Sequence, residues 1–238
     1  MTIWFLAAFL AFFVKGLCGF ANTLVFTSIL NFANSNAAIT PVELLLGYPT
    51  NAIIVWKERD GIRWRMCLPL CLLVLAGNIP GALFLKSANA TLIKAAFGMV
   101  IIVIGAENLL REFRPGKAKQ SGTALVLIGL LSGILCGLYG VGALLGAYLS
   151  RVTEDSRSFK ANLCTVFLVD NTFRMLLYAF SGLLTADVCM YALMLSPAML
   201  LGLFLGMRCA RVLDERIAKR FVSAALMISG AVLFMSSL

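Results

Sequence analysis

The sequence predicts an all-α polytopic membrane protein of two inverted-topology repeats, each a glycine-punctuated re-entrant hairpin plus three transmembrane helices. Three observations predict it. The composition is apolar in long unbroken runs, two segments are too long for one crossing and are interrupted by glycines at matching places, and the basic residues sort to one membrane face only if those two segments turn back.

The composition sets the class. Of the 238 residues, 61% are hydrophobic and only 13% charged, and the mean hydropathy is +0.95. An ordinary soluble domain is about half apolar and about a quarter charged. The apolar runs are continuous, whereas outer-membrane strands alternate polar and apolar residues, so a barrel is excluded. The net charge of +9 is read as basic loops that fix membrane orientation. No soluble stretch is long enough to present a basic face, so nucleic acid is not an expected partner. The seven cysteines (Cys18, Cys67, Cys71, Cys136, Cys164, Cys189 and Cys209) form no metal-spaced cluster, and histidine is absent. Cys67 and Cys71, one helical turn apart, are expected to be small lipid- or core-facing residues. No disulfide framework, metal or cofactor is expected. The opening MTIWFLAAFLAFFV lacks a basic n-region and a small-residue cleavage site, so it belongs to the mature fold.

A membrane helix needs about 20 apolar residues. Six stretches fit plain spans: 40–57, 65–86, 90–110, 160–182, 187–208 and 215–236. Residues 3–33 and 122–150 are longer than one crossing, and their centres read KGLCGFAN and CGLYGVGA. The chain also looks duplicated. Placing Gly16 and Gly19 on Gly137 and Gly140 aligns KGLCG with CGLYG; GNIPG (77–81) then matches GLFLG (202–206), and LIKAAFGMVIIVIG (92–105) lies over IAKRFVSAALMISG (217–230). The first repeat is therefore 1–110, the basic, proline-containing 111–121 is a cytoplasmic linker, and the second repeat is 122–238.

Charge decides how the repeats sit. If both long segments simply crossed, eight loop cations would face one side and ten the other, which specifies no orientation. If each is a hairpin, the clusters Lys57 to Arg65, Arg111 to Lys119, Arg151 to Lys160 and Arg208 to Arg220 share one face, sixteen residues, leaving Lys86 and Lys94 opposite. The positive-inside rule selects the second arrangement. Three crossings per half then invert the second repeat and put both termini outside. Paired inverted repeats with interrupted helices are a recurrent transporter architecture, with binding near the midplane; a channel is also compatible.

Broken backbone at membrane depth is tolerated only where protein or a water-filled cavity satisfies it. Beyond each break a second half-helix begins, near 20–23 and near 141–143, and its unpaired N–H groups suit an anion. Gly16, Gly19, Gly137, Gly140 and Gly142 serve either a tight turn with close backbone approach or helix–helix packing. Lys15 and Arg174 are the cations that no loop claims. A charge at the bilayer centre costs from about 2.5 kcal/mol upward, so each needs a partner or a role. Lys15 either snorkels or meets substrate. Arg174 either pairs locally with Asp170, one turn before it, or faces the substrate as a planar fork. In the latter case Asp170, the one central carboxylate, orients it or carries a coupling proton. Asn22, Thr23, Thr50, Asn51, Asn171 and Thr172 are candidate neutral donors, and Phe9, Phe12 and Phe13 are read as apolar surface. Glu107 and Arg111 are read as an interfacial pair, and Trp4, Trp56, Trp64 and Asp187 as interfacial residues. No Walker motif, zinc-ligand spacing or nucleophile elbow occurs, and the scarcity of acid–base groups argues against an enzyme.

The glycine-rich first segment, its recurrence as SGILCGLYGVGALLGAYL, and a GxxxG third span followed by LIKAAFG resemble the sulfite exporter TauE/SafE family, also called the toluene sulfonate uptake permease family. The resemblance covers nearly the whole chain. It departs from the family's glycine-rich pattern at Ala21 and Asn22. It implies a multi-pass bacterial inner-membrane permease for a sulfur-containing anion such as sulfite or an organosulfonate, often acting in export. The expected partners are therefore a small anion, the lipid bilayer and a coupled proton or counter-ion. An anion channel and a non-transporting scaffold subunit are the alternatives.

Overall fold

The computed structural model describes residues 1–30, 36–84, 99, 102–103, 106, 122–139, 142–153 and 155–235. The linker 111–121, most of span 90–110, Gly140, Lys86, Lys94, Glu107 and Arg111 lie outside them. The described chain is helical throughout, as expected for a helical membrane protein, and forms nine α-helices with a 3₁₀ turn at Arg59–Gly61. They are α1 (Thr2–Cys18), α2 (Asn22–Leu30), α3 (Asn36–Lys57), α4 (Trp64–Phe84), α5 (Gly122–Tyr139), α6 (Ala143–Val152), α7 (Ser156–Phe180), α8 (Ala186–Val212) and α9 (Glu215–Met235).

Both long segments are broken where glycines gather. α1 stops at Gly19, whose φ of 88° is open to a residue without Cβ, and its N–H closes on Lys15 O at 2.6 Å. Ala21 follows at φ 71°, a left-handed conformation that a side chain resists. It stands where the resemblance led us to expect glycine. α2 packs back against α1. In the second half, α5 ends at Tyr139 and α6 starts after Gly142. Gly142 has a negative φ of −96°, so space rather than conformation is at issue: a Cβ there would lie 2.0 Å from the Phe167 ring.

α7 and α8 are long and apolar enough to cross a bilayer, and they are capped at their starts by Asp155 and Thr185. α1 has 17 residues, about 25 Å, short of the roughly 30 Å hydrocarbon core. Large apolar side chains such as Leu72, Leu193 and Leu201 are exposed, as lipid-facing residues are. Phe12 is the exception to the expected apolar surface of α1: it is fully buried, packed with Ala8, Ile39 and Leu203.

The tightest packing lies in two helix pairs, α1 with α8 and α4 with α5. Cβ atoms at Gly202 would meet Phe9 O at 2.3 Å and Phe13 N at 3.1 Å. At Gly77 they would meet Leu130 O at 2.3 Å and Ile134 N at 3.0 Å. The register that lays Gly16 on Gly137 also lays Phe9 on Leu130 and Phe13 on Ile134, so the two contacts are the same contact made twice. Ascending positions meet ascending positions in both pairs, so partners run alongside in one sense. Small residues let backbones approach where lipid provides no hydrophobic drive for helix association.

α3 and α7 cross the site between these pairs. Tyr48 meets Thr172 while Gly61 meets Ser158, so α7 runs opposite to α3. Cys67 bonds Asn162 and Asn78 bonds Asp170, so α7 runs with α4. Arg157 reaches Glu58 at 2.9 Å and Asp60 at 2.8 Å, fastening the first turn of α7 to the loop after α3.

Candidate functional site

An internal cavity of about 30 Å³ lies where the first break meets α3 and α7. Its lining includes Lys15 from the end of α1, Asn22 and Thr23 from the start of α2, Glu43 and Asn51 from α3, and Asp170, Asn171 and Arg174 from α7. Gly142 and Phe167 close it on the side of the second break. Residues up to 159 positions apart in the lining set are thus brought together only by tertiary packing.

Lys15 is buried and donates from Nζ to Gly47 O at 3.3 Å, with the Phe12 ring 5.8 Å away. Pro49 lacks an N–H and so loosens α3 next to this carbonyl, which also accepts from Thr50 Oγ1 at 2.6 Å. Asp170 and Arg174 take different hydrogen-bond partners: Asp170 Oδ1 accepts from Asn78 at 2.5 Å, and Arg174 donates to the Tyr178 hydroxyl at 3.2 Å. The Arg174 guanidinium also stands 5.6 Å from the Tyr178 ring centroid.

Glu43 corrects the expectation of a single central carboxylate. It is buried, its Oε1 accepts from Thr23 Oγ1 at 2.9 Å and from Asn22 Nδ2, and the cations that act on it are Arg174 and Lys15. The signal for it was present: one acid inside the apolar run PVELLLGYP is as costly as one lysine inside VKGLCG. Lys160, assigned to a loop by charge counting, is buried and donates to Gly16 O at 3.0 Å, so it satisfies a free carbonyl near the end of α1. It lies in the second turn of α7, inside the helix and not on the loop before it.

Asn51 is the unusual member. It is fully buried, and both its Nδ2 and its Oδ1 lack a hydrogen-bond partner among the described residues. A buried amide left unpaired costs about 1–3 kcal/mol, so such groups call for an explanation. Two fixed cations, a helix start and an unpaired amide converge on one cavity. Chemically, the set offers charge and hydrogen bonds to an oxyanion.

The remaining expected residues fall elsewhere. Gly16 lies inside α1, where a Cβ would meet the α8 backbone at Leu203 O, 2.5 Å away, so its small size serves packing. Gly19 makes the turn, and its carbonyl accepts from Cys164 Sγ at 3.4 Å. Gly137 lies in α5. Thr172 bonds back to Leu168 O at 2.7 Å and is exposed. Among the described residues no group of acidic, cysteine or histidine side chains is arranged to hold a metal.

Known proteins resemble this chain over most of its length. The family described as Sulfite exporter TauE/SafE matches residues 4–233. A curated relative from Cupriavidus necator, described as a probable sulfite/organosulfonate exporter TauE, is 27% identical over 206 residues, covering 85% of this chain and 80% of that protein. No solved structure matches.

Proposed function

The chain belongs to the sulfite exporter TauE/SafE family, whose members are membrane transporters and not enzymes, and from that premise we propose a secondary permease that moves a small sulfur-containing oxyanion such as sulfite or an organosulfonate outward. The observation that carries the site is Asn51: a buried, unpaired amide facing the same cavity as Lys15 and Arg174. An oxyanion between these groups would satisfy the amide and use both cations.

The transport cycle follows from the cavity's size. About 30 Å³ holds only a water or two, less than a sulfonate group, so the site must widen to take one. Substrate entry therefore requires the helices around the breaks to separate, first on one side and then on the other. Motion of one repeat against the other supplies alternating access in such architectures.

Several contacts support two inverted repeats with re-entrant hairpins. Eight simple crossings would put Asp60 and Arg157 on opposite faces, yet they are 2.8 Å apart. Lys160 near the start of α7 and Gly206 near the end of α8 both lie beside Gly16, so α7 and α8 run oppositely. Since α4 runs with α7, the matched segments α4 and α8 are opposed. Their partners α5 and α1 are then opposed as well. A break in α1 toward the basic face supports an N-terminus outside, in an inner membrane with the linker in the cytoplasm.

Liposomes loaded with sulfite or methanesulfonate test the reading by flux. We expect loss of transport of at least tenfold in both Lys15→Ala and Arg174→Ala; unchanged transport in both would sink the site. Single-channel conductance without counterflow would instead identify an anion channel. Stable co-purification of a partner with no anion-dependent thermal shift would identify a scaffold subunit.

A further inference from the structure

We propose that Glu43 is a resident counter-anion, holding the donors and cations that a substrate oxyanion uses, so that the oxyanion binds together with one proton taken up by the Glu43 carboxylate. The inference rests on the oxyanion reading above.

The geometry points this way in two steps. First, the donors are already taken. Asn22 and Thr23 are the first residues of α2, where the backbone N–H groups lack intrahelical partners, and both side chains donate to Glu43 Oε1. Glu43 Oε2 takes no hydrogen bond among the described residues. The carboxylate thus occupies the position at a helix start that an incoming anion would seek.

Second, the charges already balance. The groups facing Glu43 are Lys15 from α1, the neutral Asn22 and Thr23 from α2, and Arg174 and Asp170 from α7; Cys164 lies near Lys15, and Cys136 lines the cavity from α5. The residues of α8 in the same core, such as Leu195 and Leu203, are apolar. With both carboxylates ionised, Lys15 and Arg174 are matched and the cavity has no net charge. In a low-dielectric site, an added anion would then be unpaired, which is strongly unfavourable. One proton from solvent converts –COO⁻ to –COOH on Oε2, breaks no other bond and leaves the cavity one positive charge in excess. It also weakens the hold on Asn22 and Thr23, freeing them for the substrate.

Asp170 is the less suitable proton acceptor. It accepts from Asn78, lies one turn from Arg174 on the same helix, and takes no hydrogen bond from the α2 start among the described residues.

The test is proton uptake by the purified protein in detergent, in weak buffer with a pH indicator, as methanesulfonate is added. Methanesulfonate stays an anion across the working range, so any proton taken up belongs to the protein. We expect about one proton per anion bound and, by reciprocity, an affinity that weakens up to about tenfold per pH unit above the carboxyl's titration. Glu43→Gln should bind with no uptake and no pH dependence, Glu43→Asp should keep uptake, and Asp170→Asn should keep it too. Wild-type binding without uptake, or uptake that persists in a folded Glu43→Gln, overturns the proposal. Failure of wild type to bind either methanesulfonate or sulfite overturns the oxyanion reading and this inference with it. The wild-type measurement stands even if Glu43→Gln does not fold.

Discussion

Arg157 of α7 donates to Asp60, in the turn after α3, across 2.8 Å, so the two basic loop clusters that contain them lie on one face of the molecule. Both side chains are exposed, so the pair contributes little to stability. Its value is topological. In a background lacking the exposed Cys189 and Cys209, cysteines placed at 60 and at 157 should react with an impermeant thiol reagent from the same side of the membrane. A cysteine at Thr2 should react from the other side. Labelling of 60 and 157 from opposite faces would remove the hairpin arrangement.

Gly16 and Gly77 should be intolerant of a single methyl group. In Gly16→Ala the new Cβ would meet backbone atoms of Leu203, Gly206 and Met207 within 3 Å, and in Gly77→Ala it would meet Leu130 O at 2.3 Å. Backbone cannot swing aside, so each pair must widen. Overpacking of this kind costs about 1–3 kcal/mol. A lower melting temperature in detergent for both is expected; an unchanged one would show that the pairs are looser than their spacing.

Ala21→Gly should stabilise. The residue holds φ 71°, where a side chain costs roughly 1–2 kcal/mol that glycine avoids. Part of that gain is offset by the greater freedom of glycine in the unfolded chain. The expected outcome is a melting temperature equal to or above the wild type's, whereas Gly19→Ala, at φ 88°, should lower it.

Asn51→Leu should separate stability from function. The substitution removes two buried polar atoms that lack partners among the described residues while keeping the branched shape, so melting in the absence of anion should hold or rise. Flux of methanesulfonate or sulfite should fall by tenfold or more. Loss of stability with flux retained would show that Asn51 is paired in the working protein and does not meet substrate.

Arg174→Lys should not restore transport. Arg174 lies beside the Tyr178 ring and donates to its hydroxyl, and only its planar fork can also give an oxyanion two parallel hydrogen bonds. Tyr178→Phe, which removes one hydrogen bond of about 1 kcal/mol and leaves the ring, should reduce flux far less. Equal losses in the two variants would mean that Tyr178 itself contacts the substrate.

Much of the site was legible residue by residue. Lys15 and Arg174 announced themselves because a charge within an apolar run is costly wherever the run folds, and Glu43 carried the same signal on α3. The glycines were less legible. Gly16, Gly19 and Gly142 look alike in sequence, yet one packs against a neighbouring backbone, one takes a left-handed turn and one makes room for the Phe167 ring. A missing side chain records only that something must fit there.

By itself, the sequence determined what is local. Run lengths and hydropathy specify helices in a bilayer, because every backbone N–H and C=O must be satisfied within its own segment there. Glycine clusters mark where those segments break. Only the tertiary structure decided which groups the buried charges meet: Glu43 holding Asn22 and Thr23, Asp170 holding Asn78, and Lys160 reaching Gly16 across the fold. Compensation of buried charge depends on distances between helices far apart in the chain, and no local pattern encodes those distances.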